Sequence, residues 1–303
     1  MCSLIVFKHI EKTGGTSIMD WFHRLARRGE LCYHSGWFPY NAHCAVCRAD
    51  EASNHGNKWT RKCNCDRHAE RQYILSQFEN RVGKGDLRPF WTFRNDSTPR
   101  PWKAVIEIHG HDSDLQSILR RIELIKTANA QTNDCEIHTL TVFRHPVAHW
   151  MSRYAYYVRR GFMHLKHGDP LPPLLEWVRE NPNDQTHDLL RGQRLIRGLP
   201  RVRGDDYWLY VHAMDTLKHF DMPIVIEQLP SLPPALCGIL QIRRNACEHI
   251  PQSNVRKGQI PDPLKTGLPT DAQWRNLTRR YGGVDERLYE YVLSLQALRH
   301  FAQ

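Results

Sequence analysis

The chain has 303 residues, of which 42 are Lys or Arg and 32 are Asp or Glu, which gives a formal net charge of +10. This length and a hydrophobic content of 41% fit one large α/β domain and exclude a disordered or coiled-coil chain. No run approaches the roughly 20 apolar residues that a membrane span requires. A strand-like segment begins at Leu4, which leaves no room for a signal peptide and predicts a cytoplasmic protein if Met1 is the native start.

Hydrophobic periodicity predicts strands that alternate with helices along most of the chain. Such alternation is built most economically as a parallel sheet with right-handed crossovers, so we expect an α/β fold with helices flanking the sheet. In chain order, the predicted elements are strand 4–9, helix 16–28 capped by Thr16, strand 104–109, a helix capped by Asp112 or Ser113, strand 137–143, helix 148–160 with Pro146 in its first turn, helices 174–180 and 206–220, strand 223–227, and helices 234–241, 271–281 and 286–300.

The stretch 32–102 breaks this alternation. It is rich in Cys, His, Trp, Gly, Asn and Pro and contains a single weak helical pattern at 69–82. We therefore interpret residues 1–303 as one domain that carries a Cys/His/Trp-rich insertion at 32–102.

The positive net charge suits a protein that handles phosphates, sulfates or polyanions, and it equally suits a solvated basic surface. Nucleic acid is not an expected partner, because the sequence has no helix-turn-helix signature, no zinc-finger histidine pair and no aromatic RNA-binding strand motif. Charge alone therefore does not identify the ligand.

A glycine pair set among hydrogen-bond donors follows the first predicted strand and leads directly into a helix. Glycines let successive N–H groups face one anion, the helix start favours negative charge, and lysine and hydroxyl side chains add donors. This pattern favours a bound anion over an unliganded turn. The lysine precedes the glycines, which does not fit the Walker spacing. The loop consists of Lys12, Thr13, Gly14, Gly15, Thr16 and Ser17.

A second anion-binding pattern follows the strand at 137–143. Arg144 stands at the strand end, where its planar guanidinium can bind a phosphate with two parallel hydrogen bonds. Pro146 suits the first turn of the next helix, because N–H groups there have no acceptor within the helix and proline has no N–H group to leave unpaired. Ser152 lies about two turns along that helix. An isolated arginine of this kind is more often a surface charge, but its pairing with the first loop favours a functional role.

Together the two segments resemble the donor-binding motifs of Golgi-type carbohydrate sulfotransferases. The run from Lys12 to Ser17 is similar to that family's 5′-phosphosulfate loop, and residues 141–154 are similar to its 3′-phosphate segment. His145 stands where the family usually has Asp. The resemblance extends over the chain outside about 32–102 and implies a P-loop-like parallel sheet.

Three weaker similarities extend this match. Residues 225–232 resemble the family's strand that ends in Glu and the helix after it. Tyr281, Asp285 and Tyr289 resemble its terminal helix. The family's late cofactor loop is resembled by Asn254, Arg256, Lys257 and Gly258.

The resemblance implies that 3′-phosphoadenosine 5′-phosphosulfate (PAPS) is the donor, bound by both motifs and the late loop, and that a carbohydrate hydroxyl accepts the sulfuryl group. Basic residues alternate with tryptophans around the insertion, which fits an acidic glycan or a solvated loop with a small aromatic core. Golgi members carry a membrane anchor, so a truncated catalytic domain would instead belong to the Golgi lumen or membrane.

The predicted catalytic base follows the strand at 104–109. The His109-Gly110-His111 run resembles heparan sulfate 2-O-sulfotransferases, whose second histidine is taken as the base, so the resemblance assigns that role to His111. Imidazole titrates near neutrality and can remove a proton from a hydroxyl nucleophile. His109 would orient the acceptor or share the role, and Glu107 is the alternative base. Lys12 would stabilise charge that develops on the leaving phosphate.

Four cysteines in the insertion have the number and the approximate spacing of a structural zinc site, although disulfides and free thiols remain alternatives. The five other cysteines are interpreted as small buried hydrophobes. The four in the insertion are Cys44, Cys47, Cys63 and Cys65, and the other five are Cys2, Cys32, Cys135, Cys237 and Cys247.

Two other functions compete with this interpretation. A nucleotide-dependent kinase is disfavoured, because the Walker spacing and an acidic strand that holds Mg²⁺ are missing. A non-catalytic module would bind a nucleotide or polyanion without turnover.

Overall fold

The computed structural model describes most of the predicted α/β domain and little of the insertion. The catalytic candidate His111, the late loop at 254–258 and the four insertion cysteines lie outside the described residues. None of the described helices is long and apolar enough to cross a membrane. The structure describes residues 2–28, 30–34, 103–109, 115–129, 135–159, 172–190, 206–243, 247, 249–250 and 269–301.

Five strands form an all-parallel sheet in the order β2-β3-β1-β4-β5, which confirms the predicted parallel α/β architecture. β1 lies at the centre and is apolar on both faces, as a strand covered by helices must be. Its last residue, His9, pairs in register with His109 of β3. The strands are β1 (Cys2–His9), β2 (Cys32–His34), β3 (Lys103–His109), β4 (Cys135–Phe143) and β5 (Met222–Val225).

Nine α-helices are described, and two of them have the predicted bounds. A 3₁₀ helix, Ile226–Ser231, follows β5 where the prediction continued the strand, and it contains Pro230. The α-helices are α1 (Gly15–Arg27), α2 (Leu115–Asn129), α3 (Pro146–Arg159), α4 (Leu174–Glu180), α5 (Asp184–Leu190), α6 (Tyr207–Leu217), α7 (Leu232–Ile239), α8 (Asp271–Tyr281) and α9 (Gly283–Phe301).

The two faces of β1 pack against different helices. Leu4 and Val6 belong to a core shared with α2, α6 and α9. Ile5 and Phe7 belong to a core shared with α1 and α7. The helix leading from β1 to β2 and the helix before β5 thus lie on opposite faces, which makes the carboxyl ends of β1 and β4 the topological switch point of the sheet. Open α/β sheets bind their ligands at this point.

Cys237 and Cys247 form a disulfide, with their Cα atoms 6.1 Å apart. The interpretation of both as small buried hydrophobes is therefore incomplete: Cys237 is buried, but the two cysteines are covalently paired. The chain turns back after α7 and brings Cys247 against the end of that helix, a distance that a disulfide spans without backbone movement.

Replacing both cysteines, Cys237→Ala with Cys247→Ala, is expected to lower the free energy of unfolding by about 2–3 kcal/mol, because the unfolded chain loses a closed loop of this length. Urea denaturation of the double variant and the wild type measures the difference. Peptide mapping without reductant should recover the two cysteines in one linked species, and free thiols at both positions would contradict the pairing.

Candidate functional site

The loop between β1 and α1 turns sharply just before the helix begins. Lys12 and Gly14 both have left-handed backbone conformations, with φ angles of 66° and 94°. Gly14, rather than the predicted Thr16, is the N-cap of α1, because its left-handed conformation lets the helix begin at Gly15. The Thr13 hydroxyl is buried and donates to the Ile10 carbonyl at 2.8 Å, so it braces the loop.

His9 forms the floor under the start of α1. A Cβ atom added to Gly15 would overlap the His9 imidazole ring, so only glycine fits there. His9 Nδ1 lies 2.7 Å from Glu107 Oε1, and both side chains are buried. The sequence predicted no role for His9, and it predicted Glu107 as the alternative base. Because Glu107 is fully buried and bonded to His9, it is positioned to hold the imidazole rather than to reach an acceptor.

The Lys12 ammonium lies 3.6 Å from the centre of the Tyr156 ring on α3. A cation over an aromatic face is stabilised by the ring quadrupole. Ser152 lies one helical turn before Tyr156 and therefore on the same side of α3. The structure thus brings the predicted residues Lys12 and Ser152 to one side of the site, with Tyr156 as a residue that the sequence analysis missed.

Arg144 connects the two segments that the sequence predicts to bind anions. Its Nη1 donates to the Lys12 carbonyl at 3.3 Å. Its backbone is held by the Gln185 side-chain amide, which accepts from the Arg144 N–H at 2.8 Å and donates to the Arg144 carbonyl at 2.6 Å. Burial lowers the pKa of the guanidinium, and the negative charge of Glu227 opposes that change. Next to it, His145 is exposed and contacts the edge of the Tyr289 ring.

A buried cluster of charges fixes α3 against α5 and against the loop between β1 and α1. Arg153 Nη1 donates to Asp184 at 2.7 Å and to Asp188 at 2.8 Å, and its Nη2 lies 3.4 Å from the Glu11 carboxylate. Asp184 and Asp188 counteract the burial of Arg153 and raise the pKa of its guanidinium. Removing one partner of such a buried pair typically costs 3–5 kcal/mol, because the other charge is left uncompensated.

His149 attaches α3 to the same loop. Its Nε2 donates to the Glu11 carbonyl at 2.8 Å, and its Nδ1 lies 3.7 Å from Asp184 Oδ2. Burial lowers the pKa of the imidazole to about 4, against the opposing charge of Asp184. The ring is therefore neutral at physiological pH and carries its proton on Nε2, since the carbonyl can only accept.

His149 should make stability rise with pH, because the unfolded histidine, with a pKa of 6.5, binds a proton that the folded one, with a pKa of about 4, does not. Relative to His149→Asn, the wild-type free energy of unfolding is expected to increase by up to about 3 kcal/mol between pH 4 and pH 6.5. Asn is a polar side chain that does not titrate in this pH range.

Urea denaturation across this range measures the difference between the two proteins. Burial raises the pKa of Asp285 to about 7, so this carboxyl acts in the opposite sense, with stability falling as pH rises through the same range. Asp285 is present in both proteins and largely cancels in their difference. Parallel pH curves for the wild type and His149→Asn would contradict the assignment.

The structure tests the remaining predicted site residues only in part. Gly14, Gly15, Thr16 and Ser17 lie at the start of α1 as expected, and the backbone of His109 ends β3 opposite His9. No group of three or more potential metal ligands occurs among the described residues, from which the insertion cysteines are missing. No protein-family model matches the sequence, and no curated protein matches it significantly.

Proposed function

We propose that this protein is a sulfotransferase that moves a sulfuryl group from PAPS to a hydroxyl acceptor. The observation that carries the proposal is the hydrogen bond from the Arg144 guanidinium to the Lys12 carbonyl. It joins two anion-binding segments at the carboxyl ends of neighbouring parallel strands, β1 and β4. A donor with anionic groups at both its 5′ and 3′ positions needs two such segments side by side.

The chemistry of the described residues fits each part of the donor. Backbone N–H groups at the start of α1 and the Lys12 ammonium suit the 5′-phosphosulfate. The Arg144 guanidinium and the Ser152 hydroxyl suit the 3′-phosphate. In this proposal, the P-loop-like strand, loop and helix are completed by the late loop, with Asn254, Arg256, Lys257 and Gly258 as further donor contacts.

The proposed reaction is an in-line transfer. His111 takes the proton of the acceptor hydroxyl, a bond forms between the acceptor oxygen and sulfur, and the bond from sulfur to the 5′-phosphate oxygen breaks. Adenosine 3′,5′-bisphosphate leaves with the electron pair. Lys12 stabilises this departing charge. His109 orients the acceptor.

The proposed acceptor is a carbohydrate, and the mixture of basic residues and tryptophans in the insertion favours an acidic glycan. The Cys237–Cys247 disulfide favours an oxidising compartment, and so supports the Golgi lumen over the cytoplasm.

Transfer of labelled sulfate from PAPS to acidic polysaccharides, neutral glycans and small phenols, at two salt concentrations, tests the proposal. We expect transfer to acidic glycans that weakens with salt, since exposed charge pairing is screened. A His111→Ala variant should bind donor but not transfer. Donor binding without transfer to any acceptor would favour the non-catalytic module, and faster, salt-insensitive transfer to phenols would contradict the acceptor class.

We further propose that Cys44, Cys47, Cys63 and Cys65 bind one structural zinc ion, which would hold an insertion with little apolar core. Protein prepared without chelators is expected to contain about one zinc per chain, and Cys47→Ser should lose it. Metal content near zero in the wild type would contradict the site, and disulfide mapping would then be the next measurement.

A further inference from the structure

The first turn of α5 contacts the segment around Arg144 directly and reaches the loop between β1 and α1 through Arg153. Gln185, which is buried, clamps the backbone N–H and carbonyl of Arg144 with its side-chain amide. The preceding residue, Asp184, accepts from Arg153, whose Nη2 lies 3.4 Å from the Glu11 carboxylate in the loop between β1 and α1. Two consecutive side chains of one helical turn therefore set the position of both segments.

This turn is itself fixed by reciprocal capping with α9. The Asp285 carboxylate accepts from the backbone N–H groups of Gln185 and Thr186 and from the Thr186 hydroxyl. In return, the Asn183 side-chain oxygen accepts from the N–H groups of Val284 and Asp285. Each helix start thus satisfies donors that the other would leave unpaired. The backbone that carries the Gln185 side chain is consequently held in place by hydrogen bonds to Asp285.

An amide is the side chain that this clamp requires. It must accept from the Arg144 N–H and donate to the Arg144 carbonyl at the same time, as glutamine does with its two ends. Glutamate can accept but not donate when ionised, and leucine can do neither. Arg144 follows the last residue of β4, so its backbone determines where its guanidinium begins.

We infer that Gln185 is a positioning residue that sets the preference for a 3′-phosphorylated nucleotide by holding the Arg144 backbone. This inference rests on the proposed function, because Arg144 is there the ligand of the 3′-phosphate. Gln185 acts through Arg144, so its loss should weaken binding of adenosine 3′,5′-bisphosphate far more than binding of adenosine 5′-monophosphate, which lacks the 3′-phosphate.

Calorimetric titration of the full chain with these two nucleotides tests the inference. In Gln185→Leu, we expect the affinity for the bisphosphate to fall about 10- to 100-fold, as the loss of two buried hydrogen bonds would allow. The affinity for the monophosphate should change by less than about threefold. Gln185→Glu preserves the shape of the side chain and the hydrogen bond from the Arg144 N–H. It therefore allows the same two affinities to be measured if the leucine variant fails to fold.

Thr186→Val is the matched control. It removes a hydroxyl bond to Asp285 from the same turn and leaves the clamp intact, so it should lower the melting temperature without changing the ratio of the two affinities. In an Arg144→Ala background, Gln185→Leu should have no further effect on that ratio, because residues that act as one unit are not additive.

The outcomes separate this inference from the proposed function. A wild type that prefers the bisphosphate, with the preference kept in both Gln185 variants, overturns the inference and leaves the proposed function standing. A wild type that binds both nucleotides equally overturns the proposed function and the inference together. If the ratio of bisphosphate to monophosphate affinity falls in Thr186→Val as much as in Gln185→Leu, Gln185 has only a structural role, and the inference is overturned.

Discussion

Lys12→Ala is expected to lower kcat by about 10²- to 10³-fold while changing donor affinity little, the size of effect seen when one preorganised oxyanion donor is removed. The Lys12 ammonium lies over the Tyr156 ring. In the proposed reaction, its main contribution comes when charge develops on the leaving phosphate. Steady-state kinetics with PAPS, together with calorimetric donor binding, measures the two quantities separately.

Arg144→Ala should instead reduce donor affinity, by about 10- to 100-fold, and change kcat less. The reason is that its guanidinium would bind the 3′-phosphate in the ground and transition states alike. Lys218→Ala is the control for net charge. The Lys218 side chain, at the C-cap of α6, is 70% exposed, so its removal should give wild-type kinetics. Wild-type donor affinity in Arg144→Ala would contradict its assignment.

Gly15→Ala is expected to abolish donor binding and to destabilise the fold by about 1–3 kcal/mol, the usual cost of overpacking. The added methyl group would overlap the His9 ring, which cannot move away while Glu107 holds it. The start of α1 would have to shift, and with it the N–H groups that the proposed function assigns to the 5′-phosphosulfate. Nucleotide titration and thermal unfolding measure the two losses.

Gly238→Ala provides the matched control, because an added Cβ there meets nothing within 4 Å and the residue lies within α7. This variant should be neutral or slightly stabilising. Combining Gly15→Ala with His9→Ala should restore part of the loss, since the smaller side chain vacates the space that the methyl group needs. Strict additivity of the two substitutions would contradict the contact between His9 and Gly15.

The elements that the sequence predicted well are those whose periodicity is local. Helices α4 and α8 have the predicted bounds, because their apolar residues recur at helical spacing and polar residues flank them. β2 was not predicted, since its three residues form a strand only through pairing with β3.

The helix α5 was missed for a different reason. Its first residues are Asp184, Gln185 and Thr186, all polar, and their burial comes from Arg153, Arg144 and Asp285, which are distant in sequence. A polar stretch of this kind is indistinguishable from a loop until its partners are known. The sequence predicted that Lys12 and Arg144 follow strands of one parallel sheet. It did not predict their partners Tyr156 and Gln185, because these residues are distant in sequence from the side chains that they contact.

Calorimetry with adenosine 3′,5′-bisphosphate against ATP and Mg²⁺ tests the central proposal most directly. Two anion-binding segments joined through Arg144 and Lys12 should favour the bisphosphate by at least about tenfold, or about 1.4 kcal/mol, without any requirement for the metal. Arg144→Ala should remove that preference. Tighter binding of ATP with Mg²⁺ than of the bisphosphate would contradict the proposed function and favour a nucleotide-dependent kinase.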